Sequence, residues 1–237
     1  MNPHGNTAHD ARLHEGFRQQ RTHVAVAESE GAVQLGWKAG FGAPLWQERL
    51  ALHAPLVGTL LDRTRRDPGC TIAIGTWQDA RAEAELAVLL GEDVPPEASP
   101  QQARAAVAAV APAIELVDLS TPPTSPSEAL ATNLYHRFWL TGTFTELAPG
   151  AALSDLAAHV RAMDVDSGPL DDLEALTGRA GDTLAEIARL GAQHGRGLER
   201  DDIVLLGSII PPVAVQPGGS MRYTLGNAQP IEVLFTA

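Results

Sequence analysis

Ala80-Arg81-Ala82-Glu83-Ala84-Glu85-Leu86-Ala87-Val88-Leu89-Leu90-Gly91 decides how the rest of the chain is read. Apart from Arg81 and the two glutamates, it holds small and branched apolar residues and closes on a glycine, the pattern of a buried strand. Side chains two apart on a strand share a face, so Glu83 and Glu85 point the same way. Two like charges on an apolar segment are costly unless a cation neutralises them. Their oxygens suit a hard divalent ion such as Mg2+. The alternative is an exposed edge face, or a helical turn with solvated glutamates.

A third carboxylate shifts the balance. Ala111-Pro112-Ala113-Ile114-Glu115-Leu116-Val117-Asp118 is another short apolar run with Glu115 in its middle. Three glutamates on two strands can close a set of oxygen ligands and leave positions open for water and substrate. Asp118 falls on the opposite strand face from Glu115 and is the weaker candidate.

Composition excludes several classes. At 237 residues the chain can bury a sizeable core. A formal net charge of −12 argues against a nucleic-acid partner, which would need a basic surface. A small anionic substrate stays compatible, because a bound metal sets the local charge. The one cysteine, Cys70, excludes a disulfide framework and any multi-cysteine metal site. No secretory leader and no membrane-spanning run is legible, so a cytoplasmic setting is expected. Sixteen of the 17 basic residues are arginine, and the single lysine, Lys38, lies in the strand-like run Val33 to Gly40. Either one lysine had to fall somewhere, or a buried lysine serves an active site, since its compact ammonium shifts pKa readily on burial.

The E-x-E strand, the helix after it and the "PAIELVD" strand, with Gly36-Trp37-Lys38-Ala39-Gly40 upstream and Asp202 to Ser208 downstream, resemble the 2-keto-4-pentenoate hydratase and 4-oxalocrotonate decarboxylase branch of the fumarylacetoacetate hydrolase superfamily. The resemblance covers roughly residues 33 to 237, with residues 1 to 32 as an N-terminal helical segment. It implies an α+β fold, a mixed β-sandwich or roll with flanking helices. It implies a homo-oligomer and a small-molecule 2-oxo acid substrate, with no membrane partner. It also implies that Glu83, Glu85 and Glu115 hold Mg2+ or Mn2+ and that Lys38 is an active-site residue. The expected activity is addition of water to a 2-hydroxy-dienoic acid; decarboxylation, carbon–carbon hydrolysis or a degenerate binding role are the alternatives.

The chain departs from the pattern in three places. Leu56-Val57-Gly58 stands where relatives carry an acid that partners the lysine, with His53 as the nearest replacement. Ile209-Ile210-Pro211 stands where a threonine follows the glycine–serine pair ending at Ser208, so that anchor is either missing or replaced by backbone amides. Of the "D-N-A-S" stretch only Asn133 survives, followed by Tyr135, His136 and Arg137. His136 is a candidate acid–base group because imidazole titrates near neutral pH. Arg137 either contacts substrate or packs. Gly40, in the glycine-rich Gly40-Phe41-Gly42-Ala43-Pro44, permits close approach of a ligand, so Gly40, Asn133, Arg137 and Ser208 form the expected substrate-binding set.

Local signals give the remaining elements. Helices are expected at 11 to 26, 45 to 50, 101 to 110 (capped by Ser99-Pro100 and ended by Pro112) and 181 to 190. Strands are expected at 71 to 75, 138 to 144, 163 to 168, 202 to 208, 213 to 215, 221 to 225 and 231 to 235. Residues 1 to 10 and the proline-rich stretch 121 to 126 read as irregular.

Overall fold

The structure, a computed structural model, describes residues 11–120, 123–148, 152–153 and 156–237. In chain order the elements are α1 (Ala11–Ser29), β1 (Gln34–Gly40), α2 (Pro44–Leu50), β2 (Leu56–Leu61), β3 (Thr71–Ala73), β4 (Ala80–Leu90), α3 (Pro100–Ala105), β5 (Val107–Asp118), α4 (Pro126–Ala131), β6 (His136–Thr141), β7 (Thr145–Glu146), β8 (Ala158–Ala162), β9 (Val165–Leu170), α5 (Ala180–His194), β10 (Ile203–Ser208), β11 (Val213–Ala214), β12 (Ser220–Leu225) and β13 (Ile231–Thr236). The expected irregular residues 1 to 10 and part of 121 to 126 lie outside the described residues.

Strands β4 and β5 are the long antiparallel pair at the centre, in register from Ala80↔Asp118 to Leu89↔Ala109, with a shift before Leu90↔Val107. The larger sheet runs β2-β1-β10-β4-β5-β6, with β11 added to β4 and β7 to β5; the smaller runs β3-β13-β12-β8-β9. The larger sheet curls until its edges meet. Just past β2, Arg65 pairs with Trp139 of β6. The Arg66 amide donates to the Trp139 carbonyl at 2.8 Å, and the Trp139 indole donates to the Leu61 carbonyl at 3.1 Å.

Period-2 alternation then divides β4 between two cores, which is why it reads as continuously apolar. Ala82, Ala84, Leu86, Val88 and Leu90 face outward into the main core, with Val160, Tyr223 and Val233 of the second sheet and Leu184 and Ile187 of α5. Ala87 faces into the roll, where it packs with Leu60, Ala111, Ala113, Trp139, Ile203 and Leu205. The apolar plug fills one end of the roll. Further along the same inward face, β4 and β5 carry Glu83, Glu85 and Glu115.

Three expectations need correction. The helix after Ser99 ends at Ala105, and Val107–Asp118 is strand throughout. Alanine favours helix by propensity, but pairing of 107–110 with β4 on one side and β7 on the other overrides it. Pro112 is therefore mid-strand rather than a helix stop. Its carbonyl accepts from Gly142 at 2.9 Å on the side where β6 and β7 leave a gap, so its missing N–H interrupts no ladder there. Of the expected strand at 163 to 168, residues 165 to 168 are strand within β9, while Met163 and Asp164 form the hairpin turn from β8, with Met163 in the left-handed region at φ 57°. Pro126, the last residue of the stretch read as irregular, instead opens α4, which the Ser125 hydroxyl caps.

No helix among the described residues is long and apolar enough to cross a membrane.

A β-bulge at Gln34/Gly36 brings β1 against β10 so closely that a Cβ on Gly36 would lie 1.9 Å from the Ile203 carbonyl oxygen. Backbone cannot yield as a side chain does. Gly36→Ala is expected to destabilise the protein by about 3 kcal/mol or more, read as a lowered urea midpoint.

Candidate metal centre and its cavity

The three glutamates converge because of strand register. Glu83 and Glu115 are direct cross-strand partners, which places their side chains side by side on one face. Glu85 lies one pleat further along β4. One carboxylate oxygen from each comes within 4.8 Å of the others. Glu85 and Glu115 are fully buried, and Glu83 is partly open. Glu85 Oε2 accepts from the Gly207 amide at 2.8 Å, where β10 breaks register. Glu115 Oε1 accepts from the Lys38 ammonium and from His136 Nδ1, the latter at 2.7 Å.

The remaining oxygens carry the chemical message. Glu85 Oε1 and Glu115 Oε2 are buried and have no hydrogen-bond partner among the described residues. A buried carboxylate oxygen left unpaired costs stability. Two of them converging with a third carboxylate fit a hard cation with oxygen ligands. The electrostatics agree. Burial, reinforced by the Glu115 charge, pushes Glu83 up to about 7. Burial, then Glu115 and Glu83, raises Glu85 well above the carboxylate range. Burial also works to raise Glu115, but Lys38 and His136 outweigh it and hold Glu115 down at about 2.

Lys38 is buried on β1, opposite Gly58 of β2. A Cβ on Gly58 would meet both Lys38 Cγ and Asn133 Oδ1 at 2.9 Å. The acid missing from Leu56-Val57-Gly58 is thus not replaced on that strand, and the buried partner of Lys38 is Glu115. His53 is solvent-exposed between α2 and β2.

His136 is delivered by an unusual turn. Asn133, Leu134 and Tyr135 all sit in the left-handed region, at φ 53°, 58° and 63°, at a cost of about 1–2 kcal/mol each. Asn133 holds the turn: its amide oxygen accepts from the Thr59 N–H at 2.8 Å and its NH2 donates to the Thr59 carbonyl at 2.9 Å. Arg137 is then the extra residue of a bulge, since Leu116 faces Phe138 and Val117 faces His136. That bulge lets His136 and Trp139, three apart, both face inward. Burial lowers the His136 pKa, which favours the neutral ring. Nδ1–H donates to Glu115, and Nε2 lies 3.0 Å from the Thr64 hydroxyl oxygen, which also reaches the Leu61 carbonyl at 2.9 Å.

Beside the cluster opens a cavity of about 490 Å3, lined at its polar end by Lys38, Glu83, Gly207 and Ser208. Of the expected residues, Lys38, Gly40, Glu83 and Ser208 line it, while Glu85, Glu115 and His136 stand behind. Asn133 and Arg137 do not line it. The Asn133 amide is spent on β2, and the Arg137 guanidinium reaches outward to Asp118 at 3.2 Å. Asp118 also accepts from the Gln78 and Asp79 amides, a structural use of that carboxylate. The Ser208 hydroxyl donates to the Ile210 carbonyl at 2.7 Å. The Ile209 amide donates to the Ala84 carbonyl at 2.8 Å and so is not free to serve as an anchor. Sequence reasoning missed Arg81, which lines the cavity and shares the strand face of Glu83 and Glu85 by the same two-residue spacing. It also missed Thr64, for which no sequence signal exists.

With metal removed by a chelator, the raised Glu83 and Glu85 carboxyls bind protons more tightly folded than unfolded. Their contribution is fully present below the ordinary carboxyl value of 4.5 and is lost as pH rises through about 7. The metal-free protein is expected to lose Tm over that window more steeply than Glu83→Gln, with the two profiles compared by thermal melts from pH 4.5 to 8. Parallel profiles would contradict it.

The comparisons with known proteins follow the same lines. Residues 43–232 match the model of the fumarylacetoacetate (FAA) hydrolase C-terminal family. The chain is 30% identical over 222 residues to a 4-oxalocrotonate decarboxylase of Pseudomonas sp, covering 91% of this chain and 84% of that one. It is 25% identical over 222 residues to a 2-keto-4-pentenoate hydratase of Paraburkholderia xenovorans (strain LB400), covering 91% and 81%. Its fold superimposes with TM-score 0.83 and 20% identity on the 4-oxalocrotonate decarboxylase of Pseudomonas putida G7 complexed with magnesium and adipate, covering 93% of this chain and 84% of that one. The chain belongs to the fumarylacetoacetate hydrolase family.

Proposed function

We propose that this protein is a metal-dependent lyase acting on a 2-oxo acid or its 2-hydroxy-dienoic form, adding water across the conjugated system. The observation that carries the reading is the pair of buried, partnerless oxygens on Glu85 and Glu115 beside Glu83. These three carboxylates would hold Mg2+ or Mn2+. A divalent ion there supplies positive charge next to the 2-oxo group and its carboxylate, where negative charge develops as the enol forms.

The chain's own groups then have distinct tasks. Gly207 fixes Glu85, and His136, backed by Thr64, fixes Glu115, so the ligand oxygens are set before an ion arrives. Lys38 bridges Glu115 and the cavity. It would steady the substrate carboxylate or carry a proton to and from the substrate carbon. His136 is a positioning residue in this scheme, because it does not line the cavity. Leu56-Val57-Gly58 adds no acid beside Lys38. That scarcity of proton-handling groups favours a second reading, loss of carbon dioxide from a 2-oxo-3-enedioate, which needs only one protonation. The similarity to a decarboxylase at 30% identity supports the same alternative. A role in aromatic catabolism and a homo-oligomeric state rest on the family resemblance.

A paired assay decides the reaction. With Mg2+, loss of ultraviolet absorbance from 2-hydroxypenta-2,4-dienoate without carbon dioxide is expected for hydration, and stoichiometric carbon dioxide from 2-oxohex-3-enedioate for decarboxylation. Glu85→Gln is expected to lower metal-stimulated turnover by about 100-fold or more with its circular dichroism unchanged. Undiminished turnover in that variant would contradict the proposal.

A further inference from the structure

We infer that the substrate carries an apolar arm, an aryl or branched alkyl group, at the end remote from its 2-oxo acid head; this rests on the function proposed above. The cavity of about 490 Å3 lies in the range of roughly 300–1,000 Å3 that encloses drug-sized ligands. A five-carbon acid leaves most of it empty of contacts.

Its wall is built for hydrocarbon. Phe41 and Trp46 meet edge to face at 5.3 Å, and Leu134, Leu176 and Ile210 add aliphatic surface. Pro211 and Pro212 also line it, and proline offers the cavity no N–H. Leu134 reaches it only through the costly left-handed turn that Asn133 maintains, so an apolar group there is held against backbone preference.

The charged and hydroxyl side chains on the wall, other than Lys38 and Glu83, are already engaged. The Thr177 hydroxyl donates to the Gly178 carbonyl at 3.2 Å, and Ser208 donates to Ile210. Arg81 forks onto Asp79 through two hydrogen bonds, at 2.8 and 3.2 Å. A second substrate carboxylate would meet an Arg81 whose charge Asp79 already balances, whereas an apolar arm displaces only water. The apolar arm is therefore the better match.

Three saturated analogues with one shared head test this by isothermal titration of the Mg2+-loaded protein: 2-oxopentanoate, 2-oxo-5-phenylpentanoate and 2-oxohexanedioate. The phenyl compound is expected to bind about 10-fold or more tightly than 2-oxopentanoate, with the ratio reduced in Trp46→Ala. In turnover, the phenyl-substituted dienoate (2-hydroxy-5-phenylpenta-2,4-dienoate) is expected to show a higher kcat/KM than the unsubstituted one. Equal binding of the phenyl and unsubstituted acids would overturn the inference and leave the lyase reading standing. So would tightest binding by 2-oxohexanedioate, which would make Arg81 the distal anchor. Failure of all three to bind would sink the 2-oxo acid reading itself, and the arm with it.

Discussion

Three carboxylates and a single ammonium share the inside of one β-roll, and the rest of the site follows from that imbalance. With every glutamate ionised, Lys38 balances only one of them. Water cannot enter freely to screen Glu85, which is buried. The protein has two ways out. It can keep protons on Glu83 and Glu85, as their raised pKa values indicate, or it can take up a divalent cation. Glu115 stays ionised in either case, because Lys38 and His136 are both aimed at its Oε1.

The fold makes this arrangement sustainable. Closure of the larger sheet through Trp139, Arg65 and Arg66 puts an apolar plug below the glutamates. The outer faces of the same strands pack into the main core, so the charged face is stiffened from behind. Local irregularities sit where function needs an inward side chain. The bulge at Arg137 turns His136 inward, the register break before Ser208 frees Gly207 to bind Glu85, and the left-handed turn sends Leu134 to the cavity. Each departs from regular geometry, and each is fixed by a specific hydrogen bond or strand pairing.

The parts legible in the sequence were those with a simple period or a unique composition. Glu83, Glu85 and Glu115 stand out because strand alternation puts them on one face, and Lys38 because it is the chain's only lysine. The β-hairpins near the C-terminus were marked by turn residues such as Gly226-Asn227. The helix expected over 101 to 110 is helical only to Ala105, because strand pairing beyond it overrides alanine's helix preference. His136 and Arg137 could not be placed, because a bulge of one residue exchanges which of them faces in. The cavity wall draws on residues from Phe41 to Pro212, a juxtaposition set by topology alone.

The most direct measurement is Mg2+ titration by calorimetry near pH 7, carried out in two buffers of different ionisation enthalpy. One ion per chain with net release of protons is predicted, since the cation must displace protons held by Glu83 and Glu85. In Glu85→Gln the binding is predicted to weaken and proton release to fall. Binding without proton release, or no binding at all by a folded protein, would contradict the central claim that this buried carboxylate cluster is a metal site.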